Sequence, residues 1–285
     1  AVRVAAGSGA SRTIVHTGMR TAAQVSEFYV DLADELFASA FAIGRQRYST
    51  NTFPAWHLAH PFRNLAHNGE INTIRGNRNW LTAREQSLES PLFGRDMSRL
   101  FPLIEAGASD SASLDNALEF LIHGGRRLDH AMAMLIPQAW GAKYPMGPNL
   151  RGFFEFHAGL MEPWDGPAAV VFTDGRKIGA CLDRNGLRPA RYSVTTDGLM
   201  VFASETGVYE LPDDRIIEKG ALRPGQMLLA EIGEGQLTKN AEIKSNLSRM
   251  RPYRRWVEEN RIDIPGFFSA NTDFAQSVSD LTFLY

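Results

Sequence analysis

Residues Pro167 to Ser204 read PAAVVFTDGRKIGACLDRNGLRPARYSVTTDGLMVFAS. Four runs, "AAVVFT", "KIGACLD", "RPARYSV" and "LMVFAS", are separated by Asp174-Gly175, Asn185-Gly186 and Asp197-Gly198. Dipeptides of that kind supply the positive φ angles of tight hairpins. The pattern therefore predicts an antiparallel meander that ends near Glu210, with one more strand at Gln226 to Ile232 before a polar "GEGQ" turn.

The sequence before this stretch has a different period. "TAAQVSEFYVDLADELFASA", Thr21 to Ala40, opens with Thr21 and Gln24 in the manner of a capping box and continues with helical apolar spacing. Asn77 to Glu89, Ser113 to His123 and Leu128 to Ile136 also read as helices, the second closed by Gly124-Gly125 and the third stopped by Pro137. "FAIGRQRYST" and "FRNLAHNG" read as short extended runs, the latter stopped by Asn68-Gly69. Tyr253 to Glu258, "YRRWVE", reads as an amphipathic helix start. Helices around antiparallel strands make an α+β arrangement the economical fold class.

At 285 residues, with 44% hydrophobic and 22% charged residues and a net charge of −2, the chain can bury one large core or two modest ones. Its charges are mixed in sign, so no basic stripe favours nucleic acid, and no apolar run reaches the roughly 20 residues of a membrane span. A single cysteine, Cys181, excludes an internal disulfide and a cysteine-based zinc cluster. In an apolar strand it reads as inert core. His57, His60 and His67 lack metal-ligand spacing. The first residue is Ala, and the chain is expected to begin within something longer.

Three polar clusters stand at the ends of apolar runs: "RQRYSTNT" (Arg45 to Thr52), "AHNGEIN" (Ala66 to Asn72) and "ASDSASLDN" (Ala108 to Asn116). Singly, each has a bland reading. Asn-Gly is a turn, Ser109-Asp110-Ser111 is a helix N-terminus, and Arg47 is a solvated charge. Together they suit a free α-amino acid, which needs a planar cation for its carboxylate and a fixed carboxylate for its ammonium. Arg47 and Asp110 supply that pair. If the bound side chain is an amide under attack, the Asn68 carboxamide and the Gly69 N–H would serve as preorganised donors to the oxyanion, and the other Asn residues would build the supporting loop.

In this order and at these separations, "RYSTNT", "HNGEIN" and "SDSASLDN" resemble the class II glutamine amidotransferases. The longer blocks "RYSTNTFPAWHLAHPFRNLAHNGEINTIRGNRNW", "DRNGLRPARY" and "LRPGQMLLAEI" are similar to glutamate synthase large subunits, with the likeness running from about Ser11 to about Tyr253. The resemblance implies a four-layer αββα sandwich of the N-terminal nucleophile hydrolase type, incomplete here. It implies a lead-in at 1–20, the amidotransferase part at 21–240 and a connector at 241–285. It places the glutamine α-carboxylate on Arg47 with Thr50 as helper, the oxyanion on Asn68 and Gly69, and the α-amino group on Asp110, with His67 orienting the loop.

In that family the nucleophile is an N-terminal cysteine whose own α-amino group handles the proton. This chain has no cysteine near its start, so the nucleophile is expected upstream of it. The implied whole enzyme hydrolyses glutamine and uses the ammonia to aminate 2-oxoglutarate reductively, with FMN and an iron-sulfur cluster held by other domains and none by this chain. The implied partners are glutamine, the remaining domains of the large subunit and a small electron-transfer subunit, in the cytoplasm or a plastid. Two other readings stand beside it: another class II amidotransferase, and a non-catalytic glutamine-binding or partner domain.

Overall fold

The computed structural model describes residues 13–46 and 55–262. Two antiparallel sheets account for the strands. β1 (Leu65–Gly69), β2 (Ala168–Thr173), β3 (Lys177–Leu182), β7 (Met227–Glu231) and β8 (Gln236–Lys239) form a five-stranded sheet in the order β1-β2-β3-β7-β8. β4 (Arg191–Thr195), β5 (Met200–Ala203) and β6 (Ile216–Ala221) form a three-stranded sheet in the order β5-β4-β6.

Two of the three expected hairpins are present, and the third is not. The Asp174-Gly175 turn joins β2 to β3, with Asp174 Oδ1 accepting the N–H groups of Arg176 at 2.9 Å and Lys177 at 2.8 Å. The Asp197-Gly198 turn joins β4 to β5. Asn185-Gly186 does not close a hairpin. There the buried Asp183 carboxylate accepts Asn185 N–H at 2.8 Å and Gly186 N–H at 2.9 Å through one oxygen, and Ala168 N–H at 2.9 Å through the other. This staples the turn to the start of β2. The chain then leaves for the second sheet, and the free edge of β3 is taken by β7, with Cys181 opposite Met227. The predicted single meander is thus two sheets joined by a crossover.

The pleat divides the first sheet into two chemically different faces. Leu65, Val170, Phe172, Cys181, Met227 and Leu229 point into a large core shared with the helices. Ala169, Ala180, Leu182 and Leu228 point the other way, onto Ala190, Leu222, Tyr192 and Phe202 of the second sheet's side. One packing device recurs in both sheets: an aromatic ring lies over the glycine directly opposite it, Phe172 over Gly179 and Tyr192 over Gly220.

The helix layer comprises α2 (Ile74–Glu85), α3 (Asp110–His123), α4 (Leu128–Leu135), α5 (Pro148–Ala158), α6 (Asn240–Arg249) and α7 (Tyr253–Asn260). The fold is the α+β sandwich expected, with helix, sheet and sheet as consecutive layers. Leu114, Leu118, Met132, Leu135 and Phe153 are all completely buried in the shared core, each worth about 1.5–3 kcal/mol by transfer from water. Ile243, Leu247 and Tyr253 join the same core, so the segment expected to act as a connector contributes its first two helices to the packing.

The expected helix at 21–40 is shorter. α1 covers Ala22–Phe28, and a 3-10 turn follows at Val30–Ala33. Its start is as read, with Thr21 N–H donating to Gln24 Oε1 at 3.1 Å. But no residue of α1 is buried, so tertiary packing adds nothing to extend it, and Tyr29 leaves helical geometry to seat its ring beside His16.

Candidate functional site

β1 ends in the Asn68-Gly69 corner. Among the described residues β1 is an edge strand, and its even-numbered neighbours face β2: Thr173 N–H donates to Asn64 O at 2.7 Å and Glu70 N–H to Pro167 O at 3.0 Å. Antiparallel alternation then sends the N–H groups of Leu65, His67 and Gly69 off the edge, away from the ladder. An oxyanion donor needs that direction. Gly69 has φ +139°, and a Cβ there would stand 1.7 Å from Pro167 O, so only glycine fits the corner. The half-buried Asn68 carboxamide has no hydrogen-bond partner among the described residues.

Asp110 is the first residue of α3, directly after the N-cap Ser109, whose Oγ accepts Ala112 N–H at 3.1 Å. The cluster is a helix start, and it also meets the loop that follows the corner. Asp110 Oδ2 accepts Ile71 N–H at 2.9 Å, two residues past Gly69. Asp110 Oδ1 accepts Ser111 N–H at 2.7 Å and lies 3.2 Å from Ser111 Oγ. Ser111 Oγ is in turn 2.8 Å from Nδ1 of the buried His67. With the Ser111 hydroxyl donating to the carboxylate, His67 Nδ1–H donates to Ser111, and Nδ1 itself is 4.0 Å from Asp110 Oδ2.

Burial alone would raise the Asp110 pKa. The Ile71 N–H, the charge of His67 and the two Ser111 donors outweigh it, and the carboxyl is held below its ordinary value. With a side chain 23% exposed, it is an anion open to one side. Cys181 is the opposite case. It is 2% exposed, and burial pushes its thiol up to about 12, which removes it as a nucleophile and agrees with the core reading. Arg47 and Thr50 lie outside the described residues.

The family described as "Glutamine amidotransferases class-II" matches residues 3–256. The chain belongs to the class-II glutamine amidotransferases. Its sequence is 50% identical over 254 residues to the glutamate synthase [NADPH] large chain of Bacillus subtilis (strain 168), covering 89% of this chain and 17% of that one. It is 46% identical over 256 residues to the chloroplastic ferredoxin-dependent glutamate synthase 2 of Arabidopsis thaliana, covering 88% and 16%. The chain thus spans about a sixth of the length of these relatives. The likeness to a solved glutamine phosphoribosylpyrophosphate amidotransferase from B. subtilis is remote, with 18% identity, a TM-score of 0.39 and 68% and 33% of the two chains covered, so membership rests on the sequence matches.

Within this class-II amidotransferase, two supporting residues escaped the sequence reading, Arg78 and Thr73, and Asn77 acts beside them. Arg78 on α2 donates to Ala108 O and to Ser113 Oγ at 3.0 and 3.1 Å, clamping the loop that presents Asp110. Thr73 and Asn77 tie the loop after the corner to the segment before β2: Asp165 N–H donates to Thr73 Oγ1 at 2.9 Å, and Asn77 Nδ2 to Pro163 O at 3.1 Å. Of the Asn residues expected to build that loop, Asn77 does so, while Asn72 is exposed. Glu70 is exposed as well.

A cavity of about 330 Å³ lies elsewhere, lined by Trp140, Tyr144, Phe154, His157, Met161 and Trp164 among others, and includes none of Asn68, Gly69 and Asp110. Its rim charges, Arg184 and Asp165, pair with each other at 2.5 Å. It therefore offers no free pair of charges for an amino acid's two termini. Among the described residues no group of three or more His, Cys, Asp or Glu could hold a metal ion, and no helix is long and apolar enough to cross a membrane.

Proposed function

We propose that this chain is the glutamine-hydrolysing domain of a glutamate synthase large chain. The observation that carries the reading is the tie between the two halves of the site: Asp110, held anionic at the start of α3, accepts the N–H of Ile71 in the loop that follows the Asn68-Gly69 corner. In this reading the α-ammonium of glutamine sits at Asp110 and its α-carboxylate at Arg47 with Thr50. The side-chain amide reaches the corner, where Asn68 and the Gly69 N–H meet the oxygen that becomes negative as the tetrahedral intermediate forms.

The attacking thiolate and the amine that manages its proton belong to an N-terminal cysteine in the resemblance drawn above, and Cys181 does not replace it. The thiolate adds to the amide carbon, the C–N bond breaks with ammonia leaving, and water hydrolyses the resulting thioester to glutamate. The ammonia then serves the reductive amination of 2-oxoglutarate in the rest of the large chain, with a small electron-transfer subunit as the further partner. The FMN and iron-sulfur chemistry of that step lies outside this chain. A cluster needs several cysteine thiolates, and these 285 residues hold one, buried in a strand.

The test is glutamate release from glutamine by the full-length protein that carries this domain. Asn68→Ala should lower kcat by about 10²–10³-fold, as loss of one oxyanion donor does elsewhere. Asp110→Asn keeps an acceptor for Ile71 and removes the charge, so KM for glutamine should rise at least about tenfold. Wild-type kinetics in both, or loss of activity on Cys181→Ala, would sink the reading.

A further inference from the structure

Asp115 is 2% exposed, on a helix face otherwise buried through Ser111, Leu114 and Leu118. A carboxylate at such a position is costly unless something there requires an acceptor. The requirement is visible at the start of β1. Asp115 Oδ1 accepts the N–H of Asn64 at 2.8 Å and that of Leu65 at 3.0 Å. Leu65 N–H points off the strand's edge, so no strand of the sheet satisfies it, and a water-excluded donor left unmet is expensive.

This contact is the first of three between α3 and the segment that carries the corner. Asp115 holds the start of β1, Ser111 one turn back meets His67 in its middle, and Asp110 at the helix start meets Ile71 just beyond its end. Asn68 and Gly69 lie between the second and third contacts. The charged groups acting on Asp115 are Glu119 from its own helix and Arg63 from the segment before β1, and these two pair with each other.

We infer that Asp115 is a positioning residue for glutamine hydrolysis, its Oδ1 fixing the register of β1 against α3 and hence the placement of the Asn68-Gly69 corner relative to the Asp110 carboxylate. The inference rests on the glutaminase reading above. It does not extend to substrate contact, since Asp115 is closed off from any ligand. Loss of the Asp115 contact leaves Asp110 bound to Ile71, so the ammonium subsite survives while the corner drifts. Displacements of about 1 Å at a reacting centre cost up to about 10²-fold in rate. The loss therefore falls on kcat and spares KM.

The experiment measures glutaminase kinetics of the full-length protein, per active site titrated with an electrophilic glutamine analogue, together with amide hydrogen exchange at Leu65. Asp115→Ala should lower kcat at least about tenfold, change KM by less than about threefold, and speed exchange at Leu65. Asp115→Asn should restore kcat to within about threefold of wild type, because both N–H groups go to one oxygen, which a carboxamide also presents. A purely structural role would reduce the number of titratable sites and leave kcat per site unchanged, and that result overturns the inference. Should Asp115→Ala not fold, Asp115→Glu keeps an acceptor but lengthens its arm by one methylene; the same kcat loss is expected, and a wild-type kcat in it overturns the inference equally. Wild-type protein without glutaminase activity would instead overturn the glutaminase reading.

Discussion

The two sheets of this domain are held by different means. The five-stranded sheet packs its helix-facing side into a core of fully buried Leu, Phe and Met, and buried polar groups are set within that layer: Asp115 and His67 at β1, Asp183 at β2, His130 against His157 between α4 and α5. The three-stranded sheet alternates half-buried and exposed residues along β6, meets its neighbour through a smaller apolar cluster of Ala, Leu and aromatic side chains, and uses one polar clamp in which Tyr192 and Lys239 both donate to Glu218 Oε1 at 2.6 Å. Buried polar groups are costly when unmet and directional when met. They stand where geometry has to be held, and two of them, Asp115 and His67, hold the strand that ends in the candidate site.

Two glycines with positive φ give the largest contrast. Gly69 has its space filled by Pro167 backbone, whereas Gly198 in the β4–β5 turn has φ +84° and nothing within 4 Å of an added Cβ. Gly198→Ala should cost about 1–2 kcal/mol, the left-handed backbone penalty alone. Gly69→Ala adds a backbone collision to its strain and should cost about 4 kcal/mol or more, with glutaminase activity abolished. Chemical denaturation of the two variants side by side checks this, and equal costs would mean that β1 moves freely at its end.

The same contrast governs what the sequence revealed. The Asn-Gly corner and the Ser-Asp helix start were legible because each is a local chemical pattern, and the period-two runs announced β2 to β5. Asn185-Gly186 misled because the dipeptide is the same as in a hairpin; what differs is a bond from Ala168 N–H to Asp183, fifteen residues apart. Asp115 and Arg78 carried no local signal at all. Their partners lie 50 and 30–35 residues away, and only the packed fold brings them together. α6 was missed because Ile243 and Leu247 are its only buried apolar residues, too few for a periodic stripe.

Acid should expose the buried polar layer next. His157 Nδ1–H donates to Phe153 O at 2.7 Å, so its Nε2 accepts from His130 Nε2–H at 2.7 Å, and both rings are neutral. Burial, with their own proximity and Arg126 and Arg127 nearby, holds His130 down to about 3; burial, with Arg126, holds His157 down to about 4. Unfolded, both take protons near 6.5. Asp115 has the opposite sign, with burial raising it to about 7. At the histidines the unfolded state therefore binds nearly two protons at pH 5, falling to about one at pH 6.5, that the folded state does not, while the folded state holds most of one at Asp115. Stability should rise with pH across that window by about 0.9 kcal/mol per pH unit on average, and by about 2.1 in Asp115→Asn, where the opposing proton is gone. Denaturant midpoints at pH 5.0 and 6.5 decide it. A shallower slope in Asp115→Asn than in wild type would reverse the assignment of the buried acid.

The smallest effect is expected at the polar clamp of the second sheet. Tyr192→Phe keeps the ring over Gly220 and its place in the inter-sheet cluster, and removes only the hydroxyl that reaches Glu218. Glu218 retains Lys239, and its carboxylate is held below its ordinary value by Lys239 first and Tyr192 second. It is also open to water, which replaces the lost donor, so no unmet buried group results and the cost should be the net worth of one hydrogen bond, about 0.5–1.5 kcal/mol. The urea midpoint should fall accordingly with an unchanged slope, and glutaminase kinetics should stay at the wild-type value. A loss above about 3 kcal/mol would show that the clamp holds the two sheets together as firmly as buried polar groups hold β1 to α3, and the proposed division of labour between the sheets would fail.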